Sequence, residues 1–356
     1  MTSDLTTTID ADISPRGLDL PGVRTLRLAV ATTLSVAISY GLAWPLSYIT
    51  PVFVWAFLKA PTSGLTLPGG LGTIEAMIFG CTLGLVLSLT LLKYPVVFTL
   101  VMALLLFLIY YANAGGASPV MVMFTTIGVT VIPMIALSSQ EMALIIALAL
   151  IQNCAVAVGV SWISQAVFRE PPHLTGETTA GAATQEIPPR TKIRDAGLSM
   201  VVVCPAVVFF FMFNLKDEVL IMVFIAILAQ QASSTIGRKI SLTMIVGNTL
   251  GGVAAIVFYY LIVAVPNFGF LLLLTLFSGL LFARINFSER KSAPLFAMGF
   301  STLLILIGGS TASDADTAGV KFLIRVGQII LAGLYISIAF RMVESFQERR
   351  GRTHAR

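Results

Sequence analysis

From Arg24 onward the chain alternates long apolar runs with short breaks made of Pro, Gly and charged residues. The runs fall at about 24–43, 46–60, 71–92, 95–112, 118–137 and 141–164, then at about 196–213, 217–235, 240–264, 267–285, 293–310 and 320–342. An α-helix needs roughly 20 apolar residues to cross the hydrocarbon core of a bilayer. The pattern therefore predicts an all-α, polytopic membrane protein with about twelve transmembrane helices. The run at 46–60 is short and carries Pro51. It reads as tilted, broken or re-entrant, which a membrane tolerates only where protein or a wet cavity satisfies the backbone. Whether it crosses fully is left open by its length.

Short motifs recur in the same order in the two sets of runs. Ile78-Phe79-Gly80-Cys81-Thr82-Leu83-Gly84 matches Ile245-Val246-Gly247-Asn248-Thr249-Leu250-Gly251. Ala117-Ser118-Pro119 matches Ser292-Ala293-Pro294, and Gln152 and Gln328 fall at nearly the same offset in the sixth run of each set. Six runs per set give both sets one orientation, so the pattern predicts two parallel six-helix repeats about an axis along the membrane normal, an arrangement common in transporters. The organisation expected is a tail at 1–23, a first half at 24–164, a Pro/Thr/Gly-rich flexible linker at 165–195, a second half at 196–342 and a basic tail at 343–356.

Composition strengthens the lipid reading. Apolar residues make up 57% of the chain, charged residues 11%, and the mean hydropathy is +0.93. A soluble domain carries roughly 25% charged residues, so a water-facing surface is excluded for most of the chain. The net charge of +5 is unevenly placed. With the N-terminus in the cytoplasm, 18 of the 22 Lys and Arg residues fall in cytoplasmic segments or at their edges. That bias places both termini in the cytoplasm of a bacterial inner membrane, and it meets anionic lipid without calling for nucleic acid. No cleavable signal peptide is apparent at the N-terminus. Cys81, Cys154 and Cys204 sit in apolar runs without metal-ligand spacing, and His173 and His354 sit in polar segments. There is no phosphate-binding loop, metal helix or nucleophile–base pair. No cofactor, metal or enzymatic activity is expected.

Few polar groups lie within the runs, and intramembrane charges are functional candidates by default. Arg325 lies near the outer end of the twelfth run, with Gln328 on the same helical face and Tyr335 further along. Arg325 either holds a substrate carboxylate or snorkels to headgroups beside Lys321. Glu75, early in the third run, either carries a coupling proton or serves as an interfacial anion near a helix N-terminus. Gln152 and Asn153 read as buried amides, and Thr82, Asn248 and Thr249 as polar groups lining an interface between halves. Gly80 and Gly84, like Gly247 and Gly251, form small-xxx-small faces for close helix packing. Pro133 and Pro205 fall inside runs and predict kinks.

Several of these residues together resemble a known group. Arg24 and Arg27, Tyr40-Gly41-Leu42, Tyr48-Ile49-Thr50-Pro51, Pro61-Thr62-Ser63-Gly64 and the Gly80/Thr82/Gly84 helix are similar to the N-terminal module of the fusaric acid resistance and aromatic acid exporter superfamily of bacterial inner-membrane proteins. Two departures stand out. Met77 and Met244 stand where that group usually places an arginine, and the linker replaces its large cytoplasmic domain. The resemblance implies export of small aromatic or amphipathic organic anions or drugs, with a periplasmic membrane-fusion adaptor protein as partner. In that reading the transport is proton-coupled, the substrate is met by Arg325, Gln328, Gln152, Asn153 and Asn248, and Glu75 carries the proton. The rival expectation is a non-transporting membrane component that recruits or scaffolds a periplasmic adaptor or envelope-assembly partner. A homo-oligomer is left open.

Overall fold

A computed structural model describes residues 20–60, 65–169, 189–212, 237–290 and 292–311, with single positions between 327 and 342. Those residues form α-helices and no strand. In chain order they are α1 (Leu20–Gly41), α2 (Ile49–Leu58), α3 (Leu67–Leu91), α4 (Pro95–Ala114), α5 (Pro119–Ala136), α6 (Gln140–Val167), α7 (Pro189–Met212), α8 (Gly237–Ala264), α9 (Phe268–Asn286) and α10 (Ala293–Thr311). Local chemistry sets several starts. Thr66 and Ser139 side chains accept from the N–H groups of Gly69 and Met142 at the heads of α3 and α6, and Asn267 accepts from Gly269 at the head of α9. These side chains satisfy donors that a helix leaves open.

Among the described residues, five helices, namely α3, α4, α6, α9 and the Val246–Ala264 part of α8, are long and apolar enough to cross a membrane. The chain is a membrane protein whose helices contact the lipid bilayer. On α4, Val97, Leu100, Leu104 and Leu108 are exposed, while Phe98, Met102 and Leu106 are buried. An apolar exposed stripe of this kind faces lipid, and the other face packs on protein.

Some boundaries differ from the apolar runs. α6 continues to Val167, and α7 opens at Pro189, so Arg190, Lys192 and Arg194 are helical rather than linker. Pro at a first helical position favours such a start. The run at 46–60 yields only the ten residues of α2, about 15 Å at a rise of 1.5 Å per residue. That is half of a hydrocarbon core of about 30 Å, so α2 is a half-length helix. The run at 217–235 and most of the run at 320–342 lie outside the described residues.

Two helix pairs meet backbone to backbone. A methyl group on Gly84 would come within 2.5 Å of the Gly128 carbonyl oxygen, and one on Gly128 within 2.3 Å of the Gly80 carbonyl carbon, so α3 and α5 touch through main chain. In α8 and α10, a methyl on Gly251 would lie 2.2 Å from the Gly299 carbonyl oxygen. Lipid gives helices no hydrophobic reason to associate, so close van der Waals approach of this kind holds them. α1 packs by a related device. Thr32, Ser35 and Ser39 are fully buried, and each hydroxyl donates to a carbonyl of its own helix at 2.7 Å. These small hydroxyls need no outside partner, so α1 packs against α2, α6 and α9 together. Ala29 of α1 faces Gly279 of α9. Further contacts join α4 to α7, and α2 to α6 and α10.

The main-chain contact makes a direct prediction. Gly128→Ala forces a carbon into space already occupied, and overpacking of this sort costs about 1–3 kcal/mol or more. Gly159→Ala adds a methyl where nothing lies within 4 Å. Thermal unfolding in detergent is expected to show a clear fall for Gly128→Ala and no change for Gly159→Ala.

Candidate functional site

The polar centre of the first six helices is a turn, Leu42–Tyr48, between α1 and α2. Ala43 and Leu46 adopt φ of 50° and 58°. That left-handed region is unfavourable for residues with a Cβ and persists only where the surroundings impose it. Here the surroundings are the side chain of Asn153. Its Oδ1 accepts from Trp44 Nε1 at 3.0 Å and from the Thr50 hydroxyl. Its Nδ2 donates to the carbonyls of Pro45 at 3.2 Å and Ala149 at 2.6 Å. Asn153 is 0% exposed and lies thirteen residues after the first residue of α6, about 20 Å along that helix. The turn is therefore tied through Asn153 to the middle of α6, while Leu42, Ala43 and Pro45 remain exposed. From the other side Gly308 of α10 closes on it, where a methyl would fall 1.8 Å from Tyr48 Cβ.

The three helical faces of α2 meet different partners. Phe53 meets Phe124 of α5 edge-on and Phe57 meets it tilted, with centroids 4.6 and 5.7 Å apart. Thr50 reaches α6 through Asn153. Pro51, Trp55 and Lys59 recur every four residues and share the third side. Pro51 lines a small apolar pocket with Val36 and Tyr40 of α1, Phe258 of α8, Thr275 of α9 and Leu303 of α10. Trp55 Nε1 donates to the Ala297 carbonyl at 2.9 Å, and its ring lies 4.3 Å from Phe300. The Lys59 carbonyl accepts from Asn286 Nδ2 at 2.8 Å. This side of α2 forms a seam with α9 and α10, with a pocket at one end, an aromatic plug in the middle and a lysine at the other end.

The residues picked out from sequence are scattered rather than assembled. Asn153 is central. Its neighbour Gln152, expected to be buried, is exposed, because one residue turns about 100° around a helix. Glu75, expected to be embedded, is exposed on the same face of α3 as Leu71, Ile78 and Phe79. Thr82 and Thr249 are also exposed. Asn248 is 3% exposed; its Oδ1 accepts from the Thr302 hydroxyl at 2.7 Å, and its buried Nδ2 has no partner among the described residues. Gly80, Gly84, Gly247 and Gly251 form the backbone contacts described above. Arg325 and Gln328 lie outside the described residues. Cys81 and Cys154 are both buried, and no group of three His, Cys, Asp or Glu capable of holding a metal occurs among the described residues. Sequence reasoning missed Trp44, Thr50, Trp55 and Lys59. The available signal was a short run holding two tryptophans and two prolines within about a dozen residues.

Residues 24–163 match the family described as "Protein of unknown function (DUF2955)". The match begins early in α1 and ends near the end of α6. It covers the turn, α2 and Asn153, and stops before α9 and α10. Neither the curated proteins nor the solved structures contain a match to the chain.

Two outcomes follow from the turn. Asn153→Leu keeps the volume and leaves the Trp44 indole, the Thr50 hydroxyl and the Pro45 carbonyl without this partner. The buried Thr50 hydroxyl, if left unpartnered, costs about 1–3 kcal/mol, and the half-buried Trp44 indole adds to it, so unfolding in detergent is expected to occur at lower temperature. Ala43→Gly removes a Cβ from an exposed left-handed position. It is expected to leave stability unchanged or raise it by up to about 1 kcal/mol, measured in the same assay.

Proposed function

We propose that the protein is a bacterial inner-membrane export permease. Its cargo is a small aromatic or amphipathic organic anion or drug, moved outward by coupling to the proton gradient. In this reading α2 is the gate between two six-helix halves, and both termini are cytoplasmic. The observation that carries the proposal is α2 itself: a half-length helix, held by a strained and clamped turn, whose third side faces helices of the other half across an apolar pocket. Interrupted helices in transporters sit at the interface of such repeats, where binding takes place.

The helix contacts support a twelve-helix, twofold-repeated arrangement. Exchanging α1 with α7, α3 with α8, α4 with α9 and α5 with α10 turns the α1–α9 contact into the α7–α4 contact, and the α3–α5 contact into the α8–α10 contact. The same exchange takes the glycines 80, 84 and 128 to 247, 251 and 299. Asn248, with a buried donor to spare, would offer the cargo a hydrogen bond near the seam. Arg325 and Gln328 would meet its carboxylate, Glu75 would carry the proton, and a membrane-fusion adaptor would receive the cargo.

Reconstitution into proteoliposomes tests the proposal. A pH gradient is expected to drive saturable movement of radiolabelled benzoate. Trp55→Ala, which unplugs the seam, is expected to uncouple flux from the gradient, and Glu75→Gln to abolish its pH dependence. No flux of benzoate or larger aromatic acids in any of these proteins would sink the transport reading in favour of a scaffolding role.

A further inference from the structure

Gln152 sits where a membrane helix can least accommodate it. It lies twelve residues after the first residue of α6, about 18 Å along a helix of about 42 Å. The residue is exposed, and no described residue gives its amide a hydrogen bond. An amide carries two N–H donors and a carbonyl acceptor. Hydrocarbon meets none of them, and from the middle of a span so short a side chain does not reach the headgroups. Its neighbours on that side of α6 form a regular seam. Ile145, Gln152 and Gly159 recur every seven residues, and Leu148 and Ala155 fall three residues after the first two. That is the spacing of a helix that packs lengthwise on a second helix. Ile145 and Leu148 are 46% and 60% exposed, and Ala155 is exposed too. A methyl on Gly159 would meet nothing within 4 Å, whereas one on Gly80, Gly84 or Gly128 would strike main chain. The close approach that this glycine permits is therefore unused within one copy. The other sides of α6 are taken by α1, α2, α3 and α5.

We infer that this seam of α6 is the interface with a second copy of the same chain, packed α6 against α6 about a twofold axis along the membrane normal. Copies of one chain share one orientation in the membrane, so the two α6 helices run parallel. A twofold contact then sets each residue beside its own counterpart at the same depth. An amide is its own complement: the Gln152 carbonyl accepts from the amide N–H of the partner's Gln152, and the reverse. A single polar residue at such a seam position fixes register and partner number in parallel two-helix coils. Ala155 and Gly159, four residues apart, let the two main chains come close, which is what holds helices together in lipid. A partner of another sequence would have to bring an amide or hydroxyl to that depth, whereas a second copy supplies it by symmetry. The interface lies on α6 and does not depend on the export reading.

The test uses the full chain in phosphatidylcholine liposomes, with a donor or an acceptor fluorophore on the C-terminal tail. Energy transfer is expected to rise and saturate as the protein-to-lipid ratio increases. Gln152→Leu keeps the bulk and loses the paired amide bonds. It is expected to move the half-point to a ratio about five- to tenfold higher, the effect of two interhelical bonds of average strength, and Gln152→Asn to move it less. Gly159→Leu extends into open space within one copy. It is expected to remove the transfer while unfolding in detergent at or above the wild-type temperature. A second readout is oxidation with copper phenanthroline in membranes. Leu148→Cys is expected to give a disulfide-linked dimer well above the baseline of the three native cysteines, and Leu100→Cys, on the exposed face of α4, to stay at that baseline. Absence of transfer at every ratio overturns the inference, whether the face lies bare or holds a different protein. Transfer that Gln152→Leu and Gly159→Leu both leave unchanged overturns it as well, as does equal cross-linking through Leu148→Cys and Leu100→Cys.

Discussion

A chain that stops being helical between two membrane helices leaves N–H and C=O groups that lipid cannot satisfy. In this protein the Asn153 side chain meets that constraint. Its oxygen takes the Trp44 indole and the Thr50 hydroxyl, and its nitrogen reaches the Pro45 and Ala149 carbonyls. One buried amide thus uses its acceptor and one of its donors to hold a turn in which Ala43 and Leu46 take left-handed conformations, its other donor closing onto the Ala149 carbonyl of α6. Because the turn is held at the middle of α6, α2 can be ten residues long. Its third side lies along α10 through Trp55 and reaches the end of α9 through the Asn286–Lys59 hydrogen bond.

The surroundings of α2 are rigid for a different reason. α3 is joined to α5, and α8 to α10, by glycine contacts in which main chain meets main chain. Such contacts are short-ranged and unforgiving, since close-packed interiors have little room to deform. α2 lies between these two pairs. Phe53 and Phe57 rest on Phe124 of α5, and Trp55 rests on Phe300 of α10. A short helix between two stiff supports, ending in a strained turn, is the element best placed to move when the supports move. In the export permease proposed above, that mechanical position is the one a gate needs.

Much of this was legible in the chain itself. The apolar runs foretold most of the helices to within a few residues. Gly80, Gly84, Gly247 and Gly251 announced close packing through their spacing of four, which puts small residues on one helical face. The weak run at 46–60, with Pro51, already stood out as tilted, broken or re-entrant. The site was less legible. Gln152 and Asn153 are adjacent amides of similar chemistry, yet one is exposed and the other is fully buried. Nothing in residue type separates them; only the azimuth of α6 against its neighbours does.

The sequence by itself determined the solvent, the helical class and the places where helices could approach closely, because hydropathy, charge sparsity and small-residue spacing are local properties that any packing must respect. The tertiary structure decided which polar groups face one another. It paired Asn153 with a turn more than a hundred residues earlier, and set Trp55 and Lys59 against α10 and α9 more than two hundred residues later. It also left Glu75 on an exposed face. Those outcomes depend on the rotation and depth of each helix, which are fixed by contacts between distant segments and leave no periodic trace in the chain.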